Sequence, residues 1–186
     1  MTNNEEDIME QANNIILRIK ECRADCNYGK GKHTKAANRK NKYNHWIGVP
    51  AILISLVIST SFFLTLKTDY PECAKWVGAF AALLGAAFSG IQTYFTFPKV
   101  VEGHRQSACK FRNLGKRCSN TIAAYEDGII NDEQLYKNLN EISEAYSEIA
   151  TDAEAFPTNN KDYLQTRDEI DAGGEQYTQK ELETKG

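Results

Sequence analysis

The chain has 186 residues, and its net charge of −3 conceals strong segregation of 22 basic and 25 acidic side chains. That length sets an expectation of one compact unit, and the five cysteines do not read as a disulfide framework. Residues 1–10 are acidic and lack an apolar core, so nothing there reads as a cleavable secretory leader.

Residues 1–28 form the first predicted element, an amphipathic helix. Ile8, Ala12, Ile15, Ile19, Cys22 and Cys26 recur at alternating steps of four and three, the heptad period that seats one helix against another. Gly29 and Gly31 are expected to interrupt it, with a basic juxtamembrane segment at 29–45 whose helix resumes from Lys35 towards Trp46. Cys22, Cys26, His33 and His45 together invite a metal reading. Their spacing matches no usual zinc pattern, and the two cysteines lie on the apolar seam, where a thiol acts as a small hydrophobe, so no metal ligand is predicted.

Two stretches without a charged residue or histidine follow, 46–66 and 76–98, joined by a polar external loop at 67–75. Each is long enough to cross a bilayer, because about 20 helical residues span the roughly 30 Å hydrocarbon core. The first is rich in Ile, Leu, Val and Phe and should insert unaided. The second mixes Ala and Gly with Gln92 and should need helix neighbours. Its small residues Gly78, Ala82, Ala86 and Gly90 recur every four positions beside a second row of Ala81, Gly85 and Ser89, so Gly78, Ala82, Gly85, Ala86 and Gly90 are the candidate helix-packing positions. Such rows suit packing within one hairpin or between hairpins of several chains. Ser55, Ser59, Ser89, Gln92 and Thr93 are candidates to line a water-filled path, with the competing reading that these hydroxyls bond their own helix carbonyls and Gln92 ties two helices together. Trp46 and Trp76 are read as interfacial anchors, and Pro50 should bend the first helix if the basic stretch runs into it helically.

Six basic residues at 28–45 and six at 99–117 flank the pair, while the loop has only Lys67 and Lys75, balanced by Asp69 and Glu72. The positive-inside rule then places both termini in the cytoplasm and the loop outside, in the inner (plasma) membrane. Anionic lipid headgroups explain these belts where they abut apolar spans, so no specific nucleic-acid partner is predicted.

The region 99–156 reads as cytoplasmic helix. Val101, Ala108, Phe111, Leu114 or Gly115, Cys118, Ile122 and Tyr125 mark one apolar face, ending at Asp127-Gly128. Asn131 is the expected N-cap of the next helix, whose Leu135, Leu139, Ile142, Tyr146, Ile149, Ala153 and Phe156 alternate four and three until Pro157. The fold class is therefore an all-α membrane protein, a two-helix transmembrane hairpin whose N- and C-terminal cytoplasmic helices pack as a coiled-coil-like bundle, within one chain or between chains. The polar tail 157–186, with a capping box at Thr178 and Glu181, is expected to be loose or to order on a partner.

No Walker loop, GxSxG, HExxH or CxxC is present, and His33, His45 and His104 show no partner set, so neither catalysis nor a cofactor is predicted.

His45 to Ala51, the second span ending Gly90-Ile91-Gln92-Thr93 and Phe95 to Phe97, His104-Arg105 with Ala108, Phe111 and Leu114, and Gly174 to Thr178 together resemble the SLATT family. Those are two-transmembrane effectors associated with SMODS and SLOG proteins. The resemblance implies a homo-oligomeric, membrane-perforating effector of prokaryotic conflict systems, triggered by a nucleotide second messenger or its sensor protein. No phosphate-cradling motif is present to receive a nucleotide, and a non-conducting membrane-tethered scaffold that docks a cytosolic partner is the alternative reading.

Overall fold

The computed structural model describes residues 3–65 and 72–174, with the side chains of 3–9, 59–65, 72, 74, 75 and 92 outside that description. Every element among the described residues is a helix: α1 (Asn3–Thr65), α2 (Glu72–Phe95), α3 (Phe97–Glu126), α4 (Asp132–Glu154) and α5 (Asn160–Asp171).

Residues 1–36 and 103–186 form one compact unit and residues 37–102 a second, where one was expected from length. The first unit is built on the seams. Ile19 and Cys26 of α1, Phe111, Leu114, Cys118 and Ile122 of α3, and Leu135, Ile142 and Ala153 of α4 are buried in one hydrophobic cluster. The steps within each set, three, four, seven or eleven residues, all return to one side of a helix, so each set forms a stripe, and three stripes facing inward remove one another from water. Two ion pairs close the α3–α4 flank, Lys110 with Asp152 at 2.5 Å and Arg117 with Glu141.

Gly29 and Gly31 do not interrupt α1, which is helical throughout. Each helical glycine costs about 1 kcal/mol relative to alanine, but the missing side chains are occupied by neighbours. A Cβ on Gly29 would stand 2.8 Å from the Phe111 ring, and one on Gly31 would stand 2.1 Å from the Thr166 methyl. The glycines are docking points, and the packing they admit offsets their propensity.

Asn131 caps α4 as expected: its Oδ1 accepts from the Gln134 N–H at 2.9 Å, and the Gln134 side chain accepts from the Asn131 N–H at 3.2 Å. Gly128, at φ 69°, makes the preceding turn in the left-handed region that glycine enters without penalty. Within the stretch expected to be loose or to order on a partner, residues Asn160–Asp171 form a helix. A second capping box starts it, Asn159 Oδ1 accepting from the Asp162 N–H at 2.9 Å and Asp162 Oδ2 accepting from the Asn159 N–H at 3.0 Å. α5 lies on α1 through stacked Tyr28 and Tyr163 rings 5.8 Å apart and the Lys35–Glu169 ion pair. The capping box expected at Thr178 and Glu181, and the Glu175 to Thr178 motif, lie outside the described residues.

The second unit contains the apolar part of α1, all of α2 and the first residues of α3. Pro50 sits inside α1 and withholds one N–H from its ladder. α2 begins at Glu72, within the expected loop, and ends at Phe95, before the expected end at Pro98. Helical hydrogen bonding does not depend on apolarity, so the uncharged run does not mark the helix boundaries. The break falls on Thr96, whose φ of 40° is sterically costly for a β-branched residue. Its carbonyl accepts from the N–H groups of Lys99 at 3.0 Å and Val100 at 3.3 Å, which starts α3 with Pro98 in a first turn where no N–H is missed.

Candidate functional site

The second unit presents its apolar side chains outward. Ile52, Leu53, Leu56 and Val57 of α1 and Val77, Phe80 and Leu83 of α2 are all more than half exposed. Among the described residues one helical stretch, counted from Trp76, is long and apolar enough to cross a membrane; the mean hydropathy of its window is 1.3, and none of that window is buried. The first predicted span, 46–66, runs into side chains that lie outside the described set. Leaving such side chains in water forgoes roughly 1.5–3 kcal/mol each, so this surface is built for a non-aqueous neighbour. Trp46 is 71% exposed and Trp76 is 77% exposed, with neither ring packed into the unit.

The small residues of α2 divide into two sets. A Cβ on Gly85 would stand 3.2 Å from the side chains of both Ile54 and Ile58, so this glycine is where α2 meets α1. Among the described residues nothing lies within 4 Å of that position on Gly78 or Gly90, and Ala82 and Ala86 are exposed. Of the polar candidates, Ser55 donates to the Ala51 carbonyl at 2.8 Å and Thr93 to the Ser89 carbonyl at 2.9 Å, each one turn back on its own helix. Ser89 is exposed, while the side chains of Ser59 and Gln92 lie outside the described residues.

In the first unit, two histidines without an evident partner in the sequence are in contact with each other. His33 of α1 is 5% exposed and His104 of α3 is fully buried, with their Nδ1 atoms 3.1 Å apart. At that separation one ring donates its N–H and the other accepts, which fixes opposite tautomers on the two rings. His33 also stacks on Phe111 at 5.9 Å, and Phe156 lies 5.9 Å from His104. Gly103 makes room for that ring, since a Cβ there would stand 2.1 Å from it. Burial foremost, then His104 and Lys32, lower the His33 pKa from 6.5 to about 4, against an opposing pull from Asp162.

Beside the pair lies an open cleft of about 390 Å³, between α1, α4 and the α4–α5 link, where Lys32, His33 and Glu154 meet Phe111, Tyr146 and Phe156. Nearer the middle of the cluster, Cys22, Cys26 and Cys118 share hydrogen bonds. Cys118 foremost, with burial, raises Cys22 to about 11 against a lowering by Cys26, and Cys118, then Cys22 and burial, push Cys26 up, so these two stay as thiols. All five cysteines are free. Among the described residues no group of three or more His, Cys, Asp or Glu is arranged to hold a metal ion.

The histidine pair joins positions 71 residues apart, and no local spacing could have announced it. The one signal available was that both histidines fall on the apolar faces of their helices.

Compared with known protein families, residues 16–182 match the SMODS and SLOG-associating 2TM effector domain family 4. No curated protein and no solved structure matches the chain.

Proposed function

The chain belongs to the SMODS and SLOG-associating 2TM effector domain family, and from that membership we propose that it is a membrane effector of a prokaryotic anti-phage or conflict system. Segments 46–66 and 76–98 cross the inner membrane as a hairpin with both termini cytoplasmic, and the first unit is a helical bundle. Several copies assemble through the hairpins and, when signalled by a nucleotide second messenger or its sensor protein, open a pore or disrupt the bilayer. The observation that carries this reading is the uncovered apolar surface of the second unit, from Ile52 to Val57 and from Val77 to Leu83. The open row Gly78, Ala82, Ala86 and Gly90 supports contact between hairpins, because small residues let backbones approach where lipid supplies no hydrophobic drive.

The test is expression of the full chain in bacteria, with and without its genomic neighbours, while membrane potential and dye entry are followed. Depolarisation on triggering is expected, and full integrity at high expression under both conditions would refute the effector reading. Replacing Ser55, Ser59 and Gln92 with apolar residues separates a conduit from a tethered scaffold: the conduit loses its effect and the scaffold keeps it.

A further inference from the structure

Within the first unit α1 and α3 run antiparallel, and three contacts give their register. His33 meets His104, a Cβ on Gly29 would stand 2.8 Å from the Phe111 ring, and a Cβ on Gly115 would stand 3.4 Å from the Cβ of Cys26. Each advance along α1 is matched by a similar retreat along α3, so one further turn towards the start of α1 sets Cys22 level with Cys118. Cys26 and Cys118 are fully buried in the hydrophobic cluster, and Cys22 packs against it, half-buried at its edge. Cys118 shares hydrogen bonds with both of the others. A disulfide needs Cβ atoms roughly 3.5–4.5 Å apart, whereas residues four apart on one helix hold theirs about 5–6 Å apart, so Cys22 and Cys26 do not suit a bridge to each other. The 3.4 Å approach at Gly115 shows that the two helices pass close enough here for a bridge between them.

We propose that Cys22 and Cys118 form an oxidation site, at which a peroxide closes a reversible disulfide between α1 and α3. Hydrogen bonds from Cys22 and then Cys26, with a smaller pull from Arg23, lower Cys118 from 9.0 to about 4 against the effect of burial, so the trio ionises there. A peroxide entering beside half-buried Cys22 meets this thiolate. The O–O bond breaks, one oxygen stays on the Cys118 sulfur as a sulfenic acid, and the other takes the thiol proton and leaves as water. Cys118 was the main cause holding the Cys22 thiol at about 11, and its oxidation removes that charge. The Cys22 sulfur then attacks Cys118 Sγ, the S–O bond breaks, and a second water carries away the hydroxyl and the Cys22 proton. Two electrons have passed from the thiols to the peroxide, and a sulfur–sulfur bond joins the helices. Both α1 and α3 continue from the first unit into the second, so the bridge fixes the spacing of two helices that connect the units. In a reducing compartment the bond is transient, as suits a sensor and not a structural staple. The site does not depend on membrane activity.

The experiment treats the full chain in detergent with hydrogen peroxide, carrying Cys73→Ser and Cys109→Ser so that no exposed thiol competes, and maps the cysteines by mass spectrometry without reduction. A peptide pair joining Cys22 to Cys118, lighter by two hydrogens than the separate peptides and released by dithiothreitol, is expected in most chains. The oxidised protein should also unfold at a higher temperature than the reduced one, because the bridge closes a long loop of the unfolded chain. Adding Cys22→Ser should abolish the bridge and leave Cys118 as a sulfenic acid that dimedone traps. Unmodified Cys22 and Cys118 at a peroxide concentration that oxidises Cys109 of the unsubstituted chain would overturn the proposal, as would a bridge from Cys118 to Cys26 or one between two chains. A Cys22–Cys118 bridge that lowers the unfolding temperature also overturns it, since that bond would belong to an opened bundle.

Discussion

Acid should weaken the first unit through His33 in a defined window. The unfolded chain takes up a proton on this residue near pH 6.5, while the folded chain refuses it until about pH 4, because the ring is buried against His104 and faces Lys32. Stability rises with pH wherever the unfolded state binds more protons, so the contribution is complete above pH 6.5, is lost progressively as pH falls from 6.5, and is gone below about 4. Each unit of separation corresponds to about 1.4 kcal/mol, which makes the full loss about 3 kcal/mol and the loss between pH 6.5 and 5 about 2 kcal/mol. The assay is denaturant unfolding of the full chain in detergent, followed by circular dichroism, for the wild type and for His33→Gln. Glutamine keeps a neutral donor and acceptor beside His104 and does not titrate. The wild type should lose about 2 kcal/mol more than the variant over that interval, while carboxylates elsewhere affect both alike. Parallel pH profiles for the two proteins would refute the assignment of a neutral, buried imidazole at this position.

Gly103→Ala should destabilise by about 1–2 kcal/mol, since the new methyl group meets the Phe156 ring and the gain in helix propensity offsets only part of the overpacking. Gly78→Ala, with open space around it among the described residues, should be neutral or mildly stabilising, both variants being read by thermal melts followed by circular dichroism. Thr96→Gly should raise stability by about 0.5–1 kcal/mol by relieving the positive φ, and a lower melting temperature would show that the Thr96 side chain contributes more than its backbone costs. Gly85→Leu should push α2 off Ile54 and Ile58 and sharply reduce folded protein recovered from membranes, whereas Gly78→Leu should leave that yield intact; equal yields would refute the contact at Gly85.

The seams were legible because burial on a helix repeats locally. Ala12, Ile19 and Cys26 of α1, Phe111, Cys118 and Ile122 of α3, and Leu135, Ile142 and Ala153 of α4 are buried, all at positions the three-and-four spacing marks. Asn131 was legible for the same reason, since a cap acts within four residues. Gly29 and Gly31 misled because glycine's local cost is visible in sequence, while the Phe111 and Thr166 groups that fill the space it leaves come from more than 80 residues away. α2 ends at Phe95, three residues before the expected end, because Pro98 marks a helix start as well as it marks a stop. Of the candidate glycines, Gly85 stands against Ile54 and Ile58 of α1, while among the described residues nothing lies within 4 Å of a Cβ on Gly78 or Gly90.

Leu135 and Leu83 show where a periodic reading ends. Leu135 lies on a helix with one apolar face, so its position alone says that it points inward, and it is fully buried. Leu83 lies on a helix that is uncharged from Trp76 to Phe95, where hydrophobicity gives no preferred direction, and it is 67% exposed. What orients such a helix is shape: Gly85 offers the hollow into which Ile54 and Ile58 fit, and the bulk of Leu83 and Phe80 is left facing away. Lipid tolerates that bulk and water does not. The arrangement that a soluble core would forbid is therefore the one that a bilayer permits, and at Gly85 it is the α1 side chains of Ile54 and Ile58 that occupy the space a larger residue would take.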